Sequence, residues 1–259
     1  MEYHWGSQII DVKNTDLPSL KFNYIFKCLK DNKKISVLEV GSGEGKILKT
    51  LIHLNPNLEC FGCDIVVPKS ECDYKFDLIK GETLPYSNNK FDVVLIVDCL
   101  EHVLHYNKYL KEIHRILKNE GIFHCFVPCE GELISAYSFY RLLFGKNLFY
   151  KTKNHLNKFK KKKLINLFER FFLIKKINYS YHLLGHIMDA TLFALTLNKK
   201  VAKLFWNENK YYNGKTKSFR GKLFNKLLSF ANAIAYYESK TLKNVKLCAH
   251  GLHITSIKK

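Results

Sequence analysis

Apolar positions recur at helical spacing over residues 17–31, where Leu20, Tyr24 and Cys28 share a face that Phe22, Ile25, Phe26 and Leu29 fill out. Ile35–Val40 is a short apolar run rich in β-branched residues, and it reads as a buried strand. Gly41–Gly45 breaks it. Lys46–Leu54 then returns to helical spacing and stops near Asn55-Pro56. Further strands are predicted over Leu58–Ile65, Tyr74–Leu78 (weak), Phe91–Val97 and Ile122–Val127. Between the last two lies an amphipathic helix over Tyr106–Leu117, closed by Asn119-Glu120-Gly121. Strand and helix alternate throughout 35–127, the pattern of a parallel sheet covered on both faces.

Beyond residue 128 the pattern loosens. Helices are predicted over 133–144 and 160–171, a strand over 172–179, two or three helices within 182–246, and a closing strand over 252–257. The expected organisation is an N-terminal helical segment (1–34), a core (35–181), a helical insertion (182–246) and a last core strand (247–259).

Charge changes this picture in one respect. The chain carries a formal +19, but residues 1–130 hold 16 basic against 18 acidic side chains, while residues 131–259 hold 26 against 5. The excess therefore belongs to the second half, and an anionic partner is expected there. No stretch of about 18 uninterrupted apolar residues occurs, so no spanning helix is expected. Met1–Gln8 lacks the basic and apolar runs of a secretory leader. The eight cysteines sit mostly in apolar runs, which suits reduced thiols and a cytoplasmic chain.

The strand–turn–helix at Gly41-Ser42-Gly43-Glu44-Gly45 is the strongest chemical signal. Glycines there let the backbone approach a ligand closely and turn into a helix N-terminus. Either a nucleotide pyrophosphate or a nucleoside carrying an amino acid suits such a turn. The glycines are spaced G-x-G-x-G, and Lys46 stands where the dinucleotide fingerprint needs a third glycine. Asp64, nineteen residues past Gly45, falls at the tip of the second strand, where a carboxylate can accept both bonds of a ribose diol. Asp77, after the third strand, could accept from an exocyclic amine. Cys60-Phe61-Gly62-Cys63 has zinc-like spacing but lacks a second pair, so no metal is expected from it. Pro128-Cys129 follows the fifth strand and is read as structural, as is His102.

At this point the chain resembles a family. Val37-Leu38-Glu39-Val40-Gly41-Ser42-Gly43-Glu44-Gly45 is similar to the first motif of class I S-adenosylmethionine-dependent methyltransferases. Leu84-Pro85-Tyr86, Phe91-Asp92-Val93-Val94, Leu100-Glu101-His102-Val103 and Arg115–Gly121 resemble later blocks of its type 11 group. The resemblance covers about residues 35–130. It implies an α/β, Rossmann-like fold with a mostly parallel seven-stranded sheet and S-adenosyl-L-methionine as cofactor. By that resemblance, Gly41, Gly43 and Gly45 pass beneath the methionine part, with Ser42 in the turn and Glu39 near the ammonium. Asp64 binds the ribose with Ile65 beside it, Asp77 and Leu78 flank the adenine, and Asp98 and Cys99 border the sulfonium. Asp77 lies further before Leu84-Pro85 than the family's usual acid.

The resemblance also implies that the final strand runs antiparallel, so the connection from the sixth strand starts and ends on the cofactor rim. Here that connection is long. It is expected to form a basic helical lid together with residues 128–158. Lys158, Lys160, Lys161, Lys162 and Lys163 begin a helix on this rim, which suits either a docked anion or a solvated basic face. Apolar pairs such as Leu183-Leu184 beside basic residues point to a small-molecule or lipid-linked anionic acceptor and to peripheral contact with an anionic inner-membrane surface. A nucleic acid is the less favoured partner, and the rival readings are an RNA methyltransferase and a membrane-binding scaffold with a vestigial cofactor fold. Asp98-Cys99-Leu100-Glu101 departs from the Pro-Pro motif of base amino-methylation. An oxygen acceptor needs a base. The rim candidates are Glu130, His155, His182, His186 and Asp189, of which His155 and His186 are the favoured catalytic residues.

Overall fold

The computed structural model describes residues 9–29, 35–81, 83–132, 155–185, 187, 188, 191 and 219–259. Its strands are β1 (Ser36–Val40), β2 (Glu59–Asp64), β3 (Lys75–Leu78), β4 (Phe91–Val97), β5 (Leu117–Pro128), β6 (Phe172–Ser180) and β7 (Gly251–Lys258). Its longer helices are α1 (Leu17–Phe26), α2 (Lys46–Leu54), α3 (Tyr106–Ile116), α4 (Lys161–Glu169) and α5 (Phe219–Thr241). The strands form one sheet ordered β3-β2-β1-β4-β5-β7-β6. β1 to β5 pair in parallel, and β7 runs antiparallel between β5 and β6. This is the Rossmann-like layout of the class I methyltransferase fold. The predicted helix over 133–144 lies outside the described residues.

The central strands read as continuous apolar runs because both faces are covered. On one face Leu38, Val94 and Phe123 pack with Leu110 and Ile113 of α3 and Phe168 of α4. On the other, Val37, Val93 and Leu95 pack with Phe22 and Ile25 of α1 and Leu48 and Leu51 of α2. α1 begins where Asp16 caps it, its carboxylate accepting from the Ser19 amide at 2.8 Å. A smaller apolar group joins Leu17, Leu20 and Tyr24 of α1 to Ala235 of α5.

One boundary differs from the periodicity. α3 ends at Ile116, and the left-handed residue beyond it is Glu120 (φ 59°), not Gly121. Tertiary contacts decide this. The amides of Asn89 and Lys90 capture the Arg115 and Ile116 carbonyls, and Leu117 pairs with Phe91 as the first residue of β5. The 119–121 stretch is thus a bulge within β5.

The carboxyl ends of β1, β2 and β4 share one rim. Gly251, which opens β7, pairs with both Pro128 and Ser180. The connection from 181 to 250 therefore leaves and returns on that same rim, as the antiparallel last strand requires. α5, the long helix within it, makes its closest packing contacts with α1 and β6.

Candidate active site

The first glycine turn adopts the conformation its composition demands. Gly41, Gly43 and Gly45 all have left-handed φ values, of 76°, 51° and 72°. Two of them also have no room for a side chain. A Cβ on Gly41 would lie 2.3 Å from Cys99 Sγ, and one on Gly45 would lie 2.2 Å from the Tyr74 ring. Gly43 is different: nothing lies within 4 Å of the place its Cβ would take. The turn is thus packed from behind at both ends and open at its centre.

Asp64 sits at the tip of β2. Its Oδ2 accepts from the Gly43 amide at 2.8 Å and its Oδ1 accepts from the Val66 amide at 3.2 Å. The carboxylate therefore ties the glycine turn to the loop after β2. Glu44 ties the same loop further along, accepting from the amides of Lys69 and Ser70. Leu78 pairs with Asp64 in register and is partly exposed, and Ile65 beside it is 71% exposed. Asp77 stands half-buried on β3, and the buried Tyr86 phenol is held well above its ordinary pKa by burial, with Cys63 and Asp77 adding to the rise.

Glu39 lies beneath the turn, 4% exposed, and its Oε2 has no hydrogen-bond partner. Burial pushes its carboxyl well above the usual carboxylate range, and nearby Asp64 adds to this, against one backbone hydrogen bond from Leu48. Ser42 is likewise buried, with an unpartnered Oγ. A buried acceptor aimed at nothing, an open glycine cradle and a carboxylate at the neighbouring strand tip together fit an ammonium, an amino-acid backbone and a ribose. These are the parts of S-adenosyl-L-methionine, and Glu39, Gly43 and Asp64 are the residues that would hold them.

A model described as a methyltransferase domain matches residues 38–125. Residues 38–125 therefore carry the signature of a methyltransferase domain. Over 128 residues it is 32% identical to a ubiquinone/menaquinone biosynthesis C-methyltransferase of Rickettsia prowazekii, covering 42% of this chain and 52% of that one. The chain spans about half, or less, of the length of the curated relatives it matches. Among solved structures, the MccD protein superposes with a TM-score of 0.59 at 15% identity, covering 95% of this chain and 100% of that chain. A Haemonchus contortus phosphoethanolamine N-methyltransferase in complex with S-adenosyl-L-methionine superposes with a TM-score of 0.53 at 14% identity, covering 92% and 52%. At that level these two likenesses concern the fold.

Across the methyltransferase rim from Asp64, β4 ends in Asp98, a non-glycine residue at φ 50°. Its Oδ2 lies 2.6 Å from Lys21 Nζ of α1, and the same ammonium sits 3.9 Å from the centre of the Phe126 ring. Burial alone would lower the Lys21 pKa, but Asp98 and the Tyr181 phenol raise it above the ordinary lysine range. Lys21 thus brings a permanent positive charge to the expected sulfonium border. The sequence marks it only as a lysine between Leu20 and Phe22, inside an apolar helical run. Cys99 packs its sulfur on Gly41, and burial pushes its thiol up, so it serves as filler behind the turn.

Of the rim candidates, the structure brings His155 and Glu130 together, with Nδ1 to Oε1 at 2.8 Å and both side chains largely buried. His182 is placed elsewhere: its Nε2 meets the Val245 carbonyl at 2.9 Å, which closes the base of the inserted connection. That is a structural role. His186 and Asp189 lie outside the described residues. The lysine-rich helix start is also resolved into parts. Lys161 is 3% exposed and donates to the carbonyls of Lys246 and Ala249, while its own amide donates to Glu132 Oε1. The anion at this helix N-terminus is the chain's own Glu132. Lys160, Lys162 and Lys163 remain exposed.

Proposed function

We propose that this methyltransferase transfers the methyl group of S-adenosyl-L-methionine to a hydroxyl oxygen of a small-molecule or lipid-linked acceptor. The observation that carries the reading is the buried, unpartnered Glu39 Oε2 beneath an open glycine cradle. The donor supplies an electrophilic methyl on a sulfonium, which leaves as a neutral thioether. The chain's task is therefore mainly alignment. Glu39, the 41–45 turn and Asp64 fix the donor's two ends. His155 takes the acceptor's proton as the new carbon–oxygen bond forms, and Glu130 holds the imidazole so that one nitrogen stays basic.

The C-methyltransferase of Rickettsia prowazekii to which the chain is similar supports a second reading of the acceptor atom, carbon in place of oxygen. The exposed lysines near 158–163 and the basic second half support an anionic acceptor and peripheral attachment to an anionic membrane. No helix among the described residues is long and apolar enough to cross a membrane.

Tritiated methyl transfer into fractionated cell extract tests the proposal. Label in the lipid or small-metabolite fraction, in an alkali-stable ether, supports oxygen transfer. Label on carbon moves the acceptor atom, and label in RNA contradicts the acceptor class.

A further inference from the structure

Glu101, His102 and His155 come together on the rim although fifty-two residues separate the last two. Each offers one ligand atom, and these atoms all lie within 4.8 Å of one another. The grouping is built. Asn157 donates its amide to the Glu101 carbonyl at 3.0 Å and its side chain to the Val103 carbonyl at 2.7 Å. These two bonds lock the 155–157 segment onto the helical turn at 100–102. The His102 and His155 rings meet edge to face, 4.8 Å between centres.

Two further features suit a cation here. Glu101 is 1% exposed, and its Oε2 has no hydrogen-bond partner. A buried carboxylate oxygen in that state is costly unless something positive completes it. Lys21, whose charge acts on Glu101, is already paired with Asp98. His155 meanwhile has its Nδ1 on Glu130, which leaves Nε2 for another partner. A carboxylate behind one imidazole nitrogen is how metal-ligating histidines are commonly oriented. His102 is exposed, so the cluster opens to solvent.

We propose that Glu101, His102 and His155 bind one divalent first-row transition ion such as Zn²⁺, with Glu130 orienting His155 from behind. Two imidazoles and one carboxylate suit such an ion better than Mg²⁺, which prefers oxygen ligands and near-octahedral geometry. Ligands about 2.1 Å from an ion stand roughly 3–3.5 Å apart, so the side chains close by about 1 Å on binding. Three protein ligands leave positions open for an oxygen atom of the acceptor. That use rests on the proposed methyl transfer to oxygen. It replaces the base of that reaction: with the ion bound His155 is a ligand, the ion lowers the pKa of the acceptor hydroxyl, and the hydroxyl proton passes to solvent on the exposed His102 side before the methyl is transferred.

The test is titration of the reduced, metal-free full chain with Co²⁺, followed by displacement with Zn²⁺. One equivalent should bind, with visible bands of nitrogen and oxygen ligation and without the near-ultraviolet charge transfer of thiolate. Glu130→Gln should weaken binding by about 10- to 100-fold. His155→Asn and Glu101→Gln should abolish it, while circular dichroism shows the fold kept. Mg²⁺ should not compete. Absence of binding overturns the inference. So does thiolate charge transfer, which would place the ion on cysteines, or unchanged binding in Glu130→Gln and Glu101→Gln. Calorimetric binding of S-adenosyl-L-methionine in metal-free buffer is read separately, so the methyltransferase reading can stand when the metal site fails.

Discussion

The Gly43 amide donates to Asp64 Oδ2 at 2.8 Å, which couples the tip of β2 to the open centre of the glycine turn. One carboxylate therefore shapes the cradle and keeps lone pairs that the proposed reading assigns to a ribose. Asp64→Ala removes both functions, and Asp64→Asn keeps an acceptor for one of them. Affinity for S-adenosyl-L-methionine should fall roughly 10- to 100-fold in the alanine variant, as expected for lost hydrogen bonds to a charged group. The asparagine variant should fall less. Equal loss in both, or none, would separate Asp64 from the nucleoside.

The three glycines should respond differently to alanine. Gly45→Ala meets Tyr74 and strains a left-handed backbone, so a loss of about 2–5 kcal/mol in folding stability is expected. Gly43→Ala meets nothing, so stability should drop only about 1 kcal/mol while cofactor affinity drops sharply. Urea midpoints beside calorimetric titrations distinguish the two.

Cofactor affinity should rise with pH. Burial, with Asp64 adding to it, holds the Glu39 carboxyl above its ordinary pKa, which favours its protonated form in the free protein. An ammonium partner selects the ionised form, and binding then releases that proton. Calorimetry in buffers of different ionisation enthalpy should detect the release in the natural protein and not in Glu39→Gln. The same variant should lose affinity yet gain stability at alkaline pH, where the buried charge is a cost.

Stability should also fall toward acid through a buried pair away from the site. His124 contacts Thr255 Oγ1 at 2.9 Å, and burial lowers its pKa to about 4; burial, His124 and Lys21 lower that of His253 well below the ordinary value. The unfolded chain takes up a proton below about pH 6.5 that folded His124 refuses until about pH 4. Stability is therefore full above the upper limit and lost across that window, by on the order of 3 kcal/mol for His124 alone. His124→Gln should flatten the profile of urea midpoint against pH.

Much of the fold could be read from the chain because its strands are apolar runs with glycine or proline at their ends. Phe91–Val97 and the turn at Gly41 needed no tertiary knowledge. The end of α3 could not be read, because it is set by strand pairing of Leu117 with Phe91 rather than by the Asn-Glu-Gly signal that follows. The grouping of Glu39, the glycines and Asp64 on one rim was legible because they lie on consecutive elements. The surroundings of His155 were legible only in part. His155 was singled out, but its grouping with Glu101 and His102 depends on a loop folded back by Asn157, and no local spacing encodes that. The lysine run at 160–163 pointed to an anion, and the structure supplies one internally in Glu132.

That last assignment has its own test. Lys161→Met leaves the buried Ala249 carbonyl without its donor, and also loses the part-buried bond to the Lys246 carbonyl, and should cost about 1–3 kcal/mol. Lys160→Ala, Lys162→Ala and Lys163→Ala should stay near neutral in stability. Any loss of affinity for anionic vesicles should appear in these three exposed variants and not be specific to Lys161.

The central claim is that the cradle between Glu39 and Asp64 holds the methyl donor. Isothermal titration of the folded chain with S-adenosyl-L-methionine tests it most directly. The account predicts saturable binding of one donor per chain that Glu39→Gln and Asp64→Ala each weaken while the fold remains intact. No binding to well-folded protein, or binding indifferent to both substitutions, would contradict it.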